Sequence, residues 1–184
     1  FAIAGLQLKI SGRQSNLAHI TDRIEMLMYL YPWGQMVALS ELATYGGWTG
    51  NAAPLPSETE QVYCNLAAKH KIWLIGGSVP LEAHAASKVR NSCLVYDERG
   101  KQVARYDKIH LFGLDLGNER YQESSLIEPG DTIVVINSPF GRIGLSVCYD
   151  LRFPELYRAM PDVDIIVVPS AFTASAVFPK ARAS

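Results

Sequence analysis

A cysteine stands where an apolar strand is expected to turn into a helix. The stretch 141–158 reads GRIGLSVCYDLRFPELYR, in which apolar residues lead to Cys148 and Pro154 marks a helix start. A nucleophile on such a corner is pushed out of the sheet edge, and the N–H of Tyr149 can then point at an oxyanion beside the sulfur. Cys148 is therefore a candidate nucleophile. The alternative, a small buried apolar residue at a strand end, stays open because thiol reactivity depends on the surroundings.

Two more reactive side chains follow predicted strands. Glu41 comes just after the apolar run 36–39. Lys108 lies just past the predicted strand 102–106. In an open α/β sheet, ligands bind outside the carboxyl ends of the strands, so these side chains can converge with Cys148. A carboxylate beside a thiol can take its proton, and an ammonium can stabilise the oxyanion that the thiolate creates. Taken singly, Glu41 would be a solvated loop acid and Lys108 a surface lysine, but their shared position favours a catalytic site.

The histidines offer no equally good arrangement. His19 and His70 fall in predicted helices, and His84 falls in a polar loop. His110 lies two residues beyond Lys108 and is expected to point to the other face. The sequence therefore favours the carboxylate, the ammonium and the thiol over a histidine-based site.

Composition describes a globular chain with balanced charge. The 184 residues are 48% hydrophobic, which suits a single domain with one sizeable core. The net charge of −1 provides no basic field for a nucleic acid. The nearest candidate for a membrane span, 165–178, is interrupted by polar residues and falls short of the roughly 20 residues that a span needs. We therefore predict neither a nucleic-acid nor a membrane partner.

The cysteines argue against a disulfide framework and against a zinc site. Cys64, Cys93 and Cys148 cannot all pair, and they show neither a CxxC motif nor Cys/His ligand spacing. This usage favours a reducing, cytoplasmic setting.

Strand and helix patterns alternate along the chain, which predicts an α/β domain with a mostly parallel sheet covered by helices. Ser57 and Glu60 have the spacing of a capping box at the start of the second helix. A polar loop is expected over 112–129. The predicted strands are 1–8, 36–39, 72–79, 91–96, 102–106, 132–136, 142–147 and 164–168, and the predicted helices are 17–31, 57–71 and a helix from Pro154.

Four motifs in this order resemble the nitrilase, or carbon-nitrogen hydrolase, superfamily. They are SELATYG around Glu41, RYDKIHLF around Lys108, RYQES around Glu123 and GLSVCYDLRFPELYR around Cys148, and the likeness runs to about residue 173. The resemblance implies a four-layer α-β-β-α sandwich of the nitrilase type. It also implies that Glu41, Lys108 and Cys148 are the catalytic triad and that Glu123 positions the substrate amide.

The motifs CYDLRFPE and RYQES are most similar to those of the branch that holds omega-amidases and deaminated-glutathione amidases. The resemblance then implies hydrolysis of an amide of a small carboxylate-bearing acid, through a cysteine thioester and with release of ammonia. It implies no cofactor and no metal. It implies a homodimer or a higher homo-oligomer, usually paired through a helical face. Tyr149, Phe172 and Thr173 are expected to line the substrate pocket.

The likeness weakens after residue 173, where the family continues with a helix and further strands and this chain reads ASAVFPKARAS. We expect one domain over 1–184, cut at both ends, with its second sheet incomplete. Such a piece is expected to expose a sheet edge and to have little activity alone. An inactive module for binding or assembly is therefore an alternative function. A nitrilase, an N-carbamoyl hydrolase or an acyltransferase on the same fold is another.

Overall fold

The computed structural model describes residues 1–11, 14–46, 57–85, 87–115 and 120–172. Its helices are α1 (Leu17–Leu30), α2 (Glu58–His70) and α3 (Pro154–Ala159). Its strands are β1 (Ile3–Leu6), β2 (Met36–Leu39), β3 (Trp73–Ile75), β4 (Val79–Glu82), β5 (Val89–Tyr96), β6 (Gln102–Asp107), β7 (Gly113–Asp115), β8 (Arg120–Gln122), β9 (Val135–Ser138), β10 (Gly141–Leu145) and β11 (Ile165–Val167). Short 3-10 turns cover Glu123–Ser125 and Cys148–Arg152. No helix among the described residues is both long and apolar enough to span a bilayer.

The two long helices form where their sequence patterns predict them. The apolar stripe of α1 is buried along its length, from Leu17 to Met28. In α2 the Ser57 Oγ accepts a hydrogen bond from the Glu60 N–H at 3.3 Å, which satisfies one of the free donors at the helix start. The helix ends at Lys71, whose φ of 53° is left-handed.

The larger sheet has six strands in the order β1-β2-β3-β5-β4, with β6 paired to β5. Strands β1, β2 and β3 are parallel. Strand β5 is antiparallel to β3, β4 and β6, so the prediction of a mostly parallel sheet is wrong for this half. The reason is that β3 to β6 follow one another through short connections, which suffice for antiparallel pairs, whereas parallel neighbours need long crossovers.

Four layers result. Helices α1 and α2 share one apolar core with one face of the six-stranded sheet. The opposite face packs against the three-stranded sheet β9-β10-β11. In β10, Ile143 and Leu145 point into that interface. Gly144, which lies between them, faces the Met160 thioether at the end of α3, because an added Cβ would come within 2.7 Å of its sulfur. The order of layers is therefore α-β-β-α, as the resemblance implies.

Two predicted segments are divided differently in the structure. The segment 72–79 contains β3 and the start of β4, because Gly76 and Gly77 break the strand. Gly77 has a φ of 67°, and an added Cβ would lie 2.0 Å from the Ser40 carbonyl oxygen. The segment 112–129, predicted as a loop, contains the β7–β8 hairpin and the turn at Glu123. Strands of three residues are too short to produce a visible alternation.

Candidate active site

Glu41 lies two residues beyond β2, in a turn that the connection between β3 and β4 supports. The Leu42 N–H donates to the Ser78 Oγ at 3.0 Å, and Leu42 has a left-handed φ of 52°. The close approach of Gly77 to Ser40 described above fixes the same turn. These contacts hold Glu41 at the sheet edge, where it is only 5% exposed.

Lys108 is the first residue after β6. Its N–H donates to the Asn91 carbonyl at 2.9 Å, and its own carbonyl accepts from the Gly130 N–H at 2.8 Å. Position 130 has room only for glycine, because an added Cβ would lie 2.2 Å from the Asp107 carbonyl oxygen. The side chain of Lys108 is 1% exposed, so the ammonium is removed from bulk water.

Glu123 is brought to the site by a loop that folds back onto β5. The Val89 N–H donates to the Leu126 carbonyl at 3.0 Å, and the Glu128 N–H donates to the Val89 carbonyl at 2.8 Å. The Glu123 N–H donates to the Phe112 carbonyl at 2.9 Å, and the Phe112 N–H donates to Oε2 of Glu123 at 2.8 Å. The carboxylate is therefore fixed at both its backbone and its side chain.

Cys148 stands on the corner between β10 and α3, as the sequence predicts. Its φ is 47°, a left-handed conformation that a residue with a side chain adopts at a cost in free energy. The Cys148 N–H donates to the Pro169 carbonyl at 2.9 Å, which ties the corner to the segment after β11. The thiol is half-buried. A strained, partly exposed cysteine at a strand-to-helix corner has the geometry of a nucleophile elbow.

The structure brings the four predicted side chains together. The Lys108 Nζ donates to Glu41 Oε1 at 2.9 Å, and it lies 3.1 Å and 3.0 Å from Oε1 and Oε2 of Glu123. Glu41 Oε2 accepts from the Ala171 N–H at 3.1 Å, and the Cys148 Sγ lies 3.9 Å from the Ala171 carbonyl oxygen. One buried ammonium thus lies between two carboxylates, and the Ala171 backbone adjoins both the Glu41 carboxylate and the Cys148 sulfur.

The charges of this cluster decide what each group can do. Burial alone would lower the pKa of Lys108, but the charges and hydrogen bonds of Glu41 and Glu123 outweigh it and raise the pKa above its usual value. Lys108 is therefore a fixed cation and not a proton acceptor. It is placed to stabilise negative charge that develops beside it.

The pKa of the Cys148 thiol is also raised, but for a thiol this favours the uncharged form. Burial, followed by the negative charge of Glu41, raises the pKa of Cys148 to about 11, although the Ala171 backbone and Lys108 partly oppose this. At neutral pH the sulfur therefore keeps its proton. A neighbouring carboxylate that accepts this proton during attack is the arrangement that such a thiol requires.

Comparison with known proteins agrees with this geometry. The profile of the carbon-nitrogen hydrolase family matches residues 2–183. The chain belongs to the carbon-nitrogen hydrolase family. Omega-amidase NIT2 of Homo sapiens is 36% identical over 180 residues, which cover 94% of this chain and 64% of that protein. Deaminated glutathione amidase of Yersinia enterocolitica is 39% identical over 128 residues, or 67% of this chain and 43% of that protein.

Solved structures of the family share the fold. Nit3 of Saccharomyces cerevisiae, from branch 10 of the nitrilase superfamily, superposes with a TM-score of 0.72 at 30% identity and covers 86% of this chain and 59% of its own. The NitFhit protein of C. elegans gives a TM-score of 0.75 at 30% identity, covering 93% of this chain and 44% of its own. The described α/β architecture is that of the nitrilase fold, and the chain spans less than two thirds of these relatives' length.

The residues expected to line a substrate pocket lie on two segments. Tyr149 follows the nucleophile, and its ring makes edge contacts with Phe112 and Phe153, with centroids 5.2 Å and 5.4 Å away. The three rings therefore form an aromatic cluster at the corner that carries Cys148. Phe172 follows the Ala171 N–H that contacts Glu41, and it is 58% exposed. Thr173 lies outside the described residues.

Asp150 is a site residue that the sequence analysis did not single out. It is fully buried, and its Oδ2 accepts from the Val147 N–H at 2.8 Å and from the Tyr106 hydroxyl at 2.7 Å. Its Oδ1 accepts from the His110 N–H at 2.9 Å and lies 2.8 Å from the His110 Nδ1. One carboxylate therefore ties the corner that carries Cys148 to the segment that carries Lys108.

The position of His110 also differs from its prediction. It was expected to point to the other face of a continuing strand, but β6 ends at Asp107. His110 instead stacks on Phe153, with ring centroids 3.8 Å apart, and reaches Asp150. The signal that could have revealed the pair is the acid two residues after Cys148, because a charge on a buried corner needs partners.

Asn91 is the second residue that the analysis missed. It lies in β5, is 1% exposed, and donates from Nδ2 to Glu41 Oε1 at 2.9 Å. An amide inside a predicted apolar strand is the available signal, since buried polar groups are normally hydrogen-bonded. Among the described residues no group of three or more His, Cys, Asp or Glu side chains is arranged to hold a metal ion.

Proposed function

We propose that this chain carries the catalytic site of a thiol-dependent amidase, which cleaves the terminal amide of a small carboxylate-bearing acid and releases ammonia. The observation that supports it most is the convergence of Glu41, Lys108 and Cys148: Lys108 Nζ and the Ala171 N–H both donate to Glu41, and the Cys148 Sγ lies 3.9 Å from the Ala171 carbonyl oxygen. The proposal of an amidase is further supported by the names of the two curated relatives, an omega-amidase and a deaminated glutathione amidase.

In the acylation step, the Cys148 sulfur attacks the amide carbon while its proton passes to Glu41. The proton transfer accompanies attack, because the raised pKa of Cys148 leaves little free thiolate at neutral pH. The carbonyl oxygen becomes an oxyanion beside the Lys108 ammonium and the Tyr149 N–H. Glu41 then returns the proton to the amide nitrogen, the carbon–nitrogen bond breaks, and ammonia leaves a thioester on Cys148.

In the deacylation step, Glu41 takes a proton from water as the water oxygen attacks the thioester carbon. The same oxyanion donors act again. The carbon–sulfur bond breaks, the proton returns to the sulfur, and the free acid leaves. Lys108 remains protonated throughout, which agrees with the direction of its pKa shift.

Glu123 has a different part in this scheme. Its two oxygens accept from Lys108 and from the Phe112 N–H, so it is held as a carboxylate beside the ammonium. We assign it to orienting the substrate amide nitrogen and to keeping Lys108 in place. Tyr149, Phe172 and Thr173 are proposed to border the acyl part of the substrate. A cytoplasmic homodimer stays the expected setting.

The test is a panel of omega-amides of 2-oxo acids, deaminated peptides, simple nitriles and N-carbamoyl compounds, scored for ammonia with intact-mass analysis of the protein. We expect ammonia from the amides and, in rapidly quenched samples, an acyl adduct on Cys148. Cys148→Ala should abolish both, and Cys64→Ala should abolish neither. Preference for a nitrile or a carbamoyl compound would favour the other reactions of the fold, and binding without ammonia release would favour an inactive binding module.

A further inference from the structure

We propose that Asn91 is a positioning residue of this site: its amide N–H fixes one oxygen of Glu41 so that the other oxygen serves the Cys148 thiol. The inference rests on the proposed role of Glu41 as the base. It does not depend on which amide is cleaved.

The contact joins two buried groups that are distant in sequence. Asn91 and Glu41 are 1% and 5% exposed, and Asn91 Nδ2 lies 2.9 Å from Glu41 Oε1. The same oxygen accepts from Lys108 Nζ at 2.9 Å. Two donors from different strands thus hold a single oxygen of the carboxylate. Rotation of the carboxylate about its terminal bond would break both hydrogen bonds.

The second oxygen of Glu41 has other neighbours. It accepts from the Ala171 N–H at 3.1 Å. The Cys148 sulfur in turn lies 3.9 Å from the Ala171 carbonyl oxygen. With Oε1 occupied by Asn91 and Lys108, Oε2 is the oxygen left to accept the thiol proton.

The far end of the Asn91 amide supports a role in orientation. Asn91 Oδ1 is buried and has no hydrogen-bond partner among the described residues. Exchanging the two ends of the amide would set its oxygen against the Glu41 carboxylate, so the donor must face Glu41. A leucine of similar size would avoid an unpaired acceptor in the core. The presence of an amide therefore indicates that its N–H is needed.

An amide also has the right charge for this position. Lys108 already lies between Glu41 and Glu123, and a second cation would make Glu41 a weaker base. An acid in place of Asn91 would compete with Glu41 for a proton, as paired carboxylates do. A neutral donor fixes the carboxylate without either effect.

The test compares Asn91→Leu and Asn91→Asp with the wild type in the full chain. Ser92→Ala is the matched control, because Ser92 is a buried polar residue of the same strand whose hydroxyl donates to Asp107 and not to the triad. The rate of Cys148 alkylation by iodoacetamide is measured against pH, with intact-mass detection. Glu41→Gln identifies the acid limb of that profile, which it should remove.

We expect Asn91→Leu to move the acid limb upward by about one pH unit, the size that corresponds to one lost charge-assisted hydrogen bond. The sign is upward because a carboxylate that has lost a donor keeps its proton to a higher pH. Asn91→Asp should move it further, whereas Ser92→Ala should leave it in place. The melting temperatures of the variants should not follow the order of these pH shifts, because Asn91→Leu also removes the unpaired Oδ1 acceptor from the core.

An unchanged acid limb in both Asn91 variants would overturn the inference, as would an equal shift in Ser92→Ala. If Asn91→Leu does not fold, Asn91→Asp keeps the test decisive because it is nearly identical in shape. Alkylation needs no turnover, so a protein that shows the shifts but releases no ammonia would contradict the proposed function and leave the role of Asn91 intact.

Discussion

Two regions of this molecule bury polar groups but differ in whether those groups are hydrogen-bonded. At the strand ends, the buried charges of Glu41, Lys108 and Asp150 all have hydrogen-bond partners. Between α2 and the six-stranded sheet, the hydroxyls of the fully buried Tyr63 and Tyr96 have no partner among the described residues. These two rings instead make an edge contact, with centroids 6.0 Å apart.

The comparison shows which buried polar groups must have a hydrogen-bond partner. An unpaired neutral hydroxyl costs a modest amount, and the ring to which it belongs still fills the core. An unpaired buried charge costs far more, so a charged cluster persists only when every member has a partner. Removing one atom from the strand-end cluster should therefore have a large effect, and removing one from the tyrosine pair a small effect.

The largest effect is expected for Lys108→Ala. Turnover should fall by about 10²-fold or more, because an oxyanion donor is lost. Folding should also be affected, because the Lys108 side chain is buried. Two carboxylates lose their shared cation, so the free energy of unfolding should fall by about 3–5 kcal/mol. Ammonia release and chemical denaturation measure the two effects, with the exposed Lys101→Ala as control. Near-normal turnover in a folded Lys108 variant would remove it from the mechanism.

Asp150→Asn should have the next largest effect. The amide cannot accept all the hydrogen bonds that Asp150 accepts from Val147, Tyr106 and His110. We expect a loss of about 1–3 kcal/mol in unfolding free energy, with slower alkylation of Cys148 in the protein that remains folded. Asp162→Asn, at an exposed site, should change neither quantity. Equal behaviour of the two variants would show that the Asp150 contacts do not hold the corner.

The pH dependence of the thiol gives a smaller but specific effect. Because burial and Glu41 raise the pKa of Cys148 from 9.0 to about 11, thiolate absorbance should rise mainly above pH 9. The unfolded chain loses this proton first, so the stability linked to the thiol is complete below pH 9 and declines as pH rises toward 11. The difference spectrum between wild type and Cys148→Ser isolates the group. In Glu41→Gln the rise should begin at lower pH, and a thiolate already present at neutral pH would contradict the assignment.

The smallest effect is expected for Tyr63→Phe. The hydroxyl has no partner, and burial raises the pKa of Tyr63 far above its usual value, so it stays neutral. We expect unfolding free energy to change by less than about 1 kcal/mol, or to increase, because an unsatisfied buried group is removed. Thermal melting beside Tyr106→Phe, whose hydroxyl donates to Asp150, provides the comparison. A larger loss for Tyr63→Phe than for Tyr106→Phe would reverse the distinction between the two regions.

The sequence by itself determined the elements with strong periodicity and the reactive residues at their ends. The stripe of α1, the cap at Ser57 and the strand before Glu41 formed as predicted, because local propensity and burial agree there. The corner at Cys148 was predicted for the same reason, since an apolar strand and a proline-started helix leave few residues for the turn. The order of the motifs indicated the family, and its profile match and the fold confirmed it.

Only the tertiary structure decided the antiparallel pairing of β5 with β3 and β4, the hairpin before Glu123 and the places of Asn91, His110 and Asp150. The strands of the hairpin are too short for a visible alternation, and the places of the three side chains depend on contacts between segments far apart in sequence, for which a local pattern carries no information. Asn91 lies 50 residues from the carboxylate that it contacts, and Asp150 lies 40 residues from His110. A buried polar side chain needs a hydrogen-bond partner, but only the packing of distant strands determines which group that partner is.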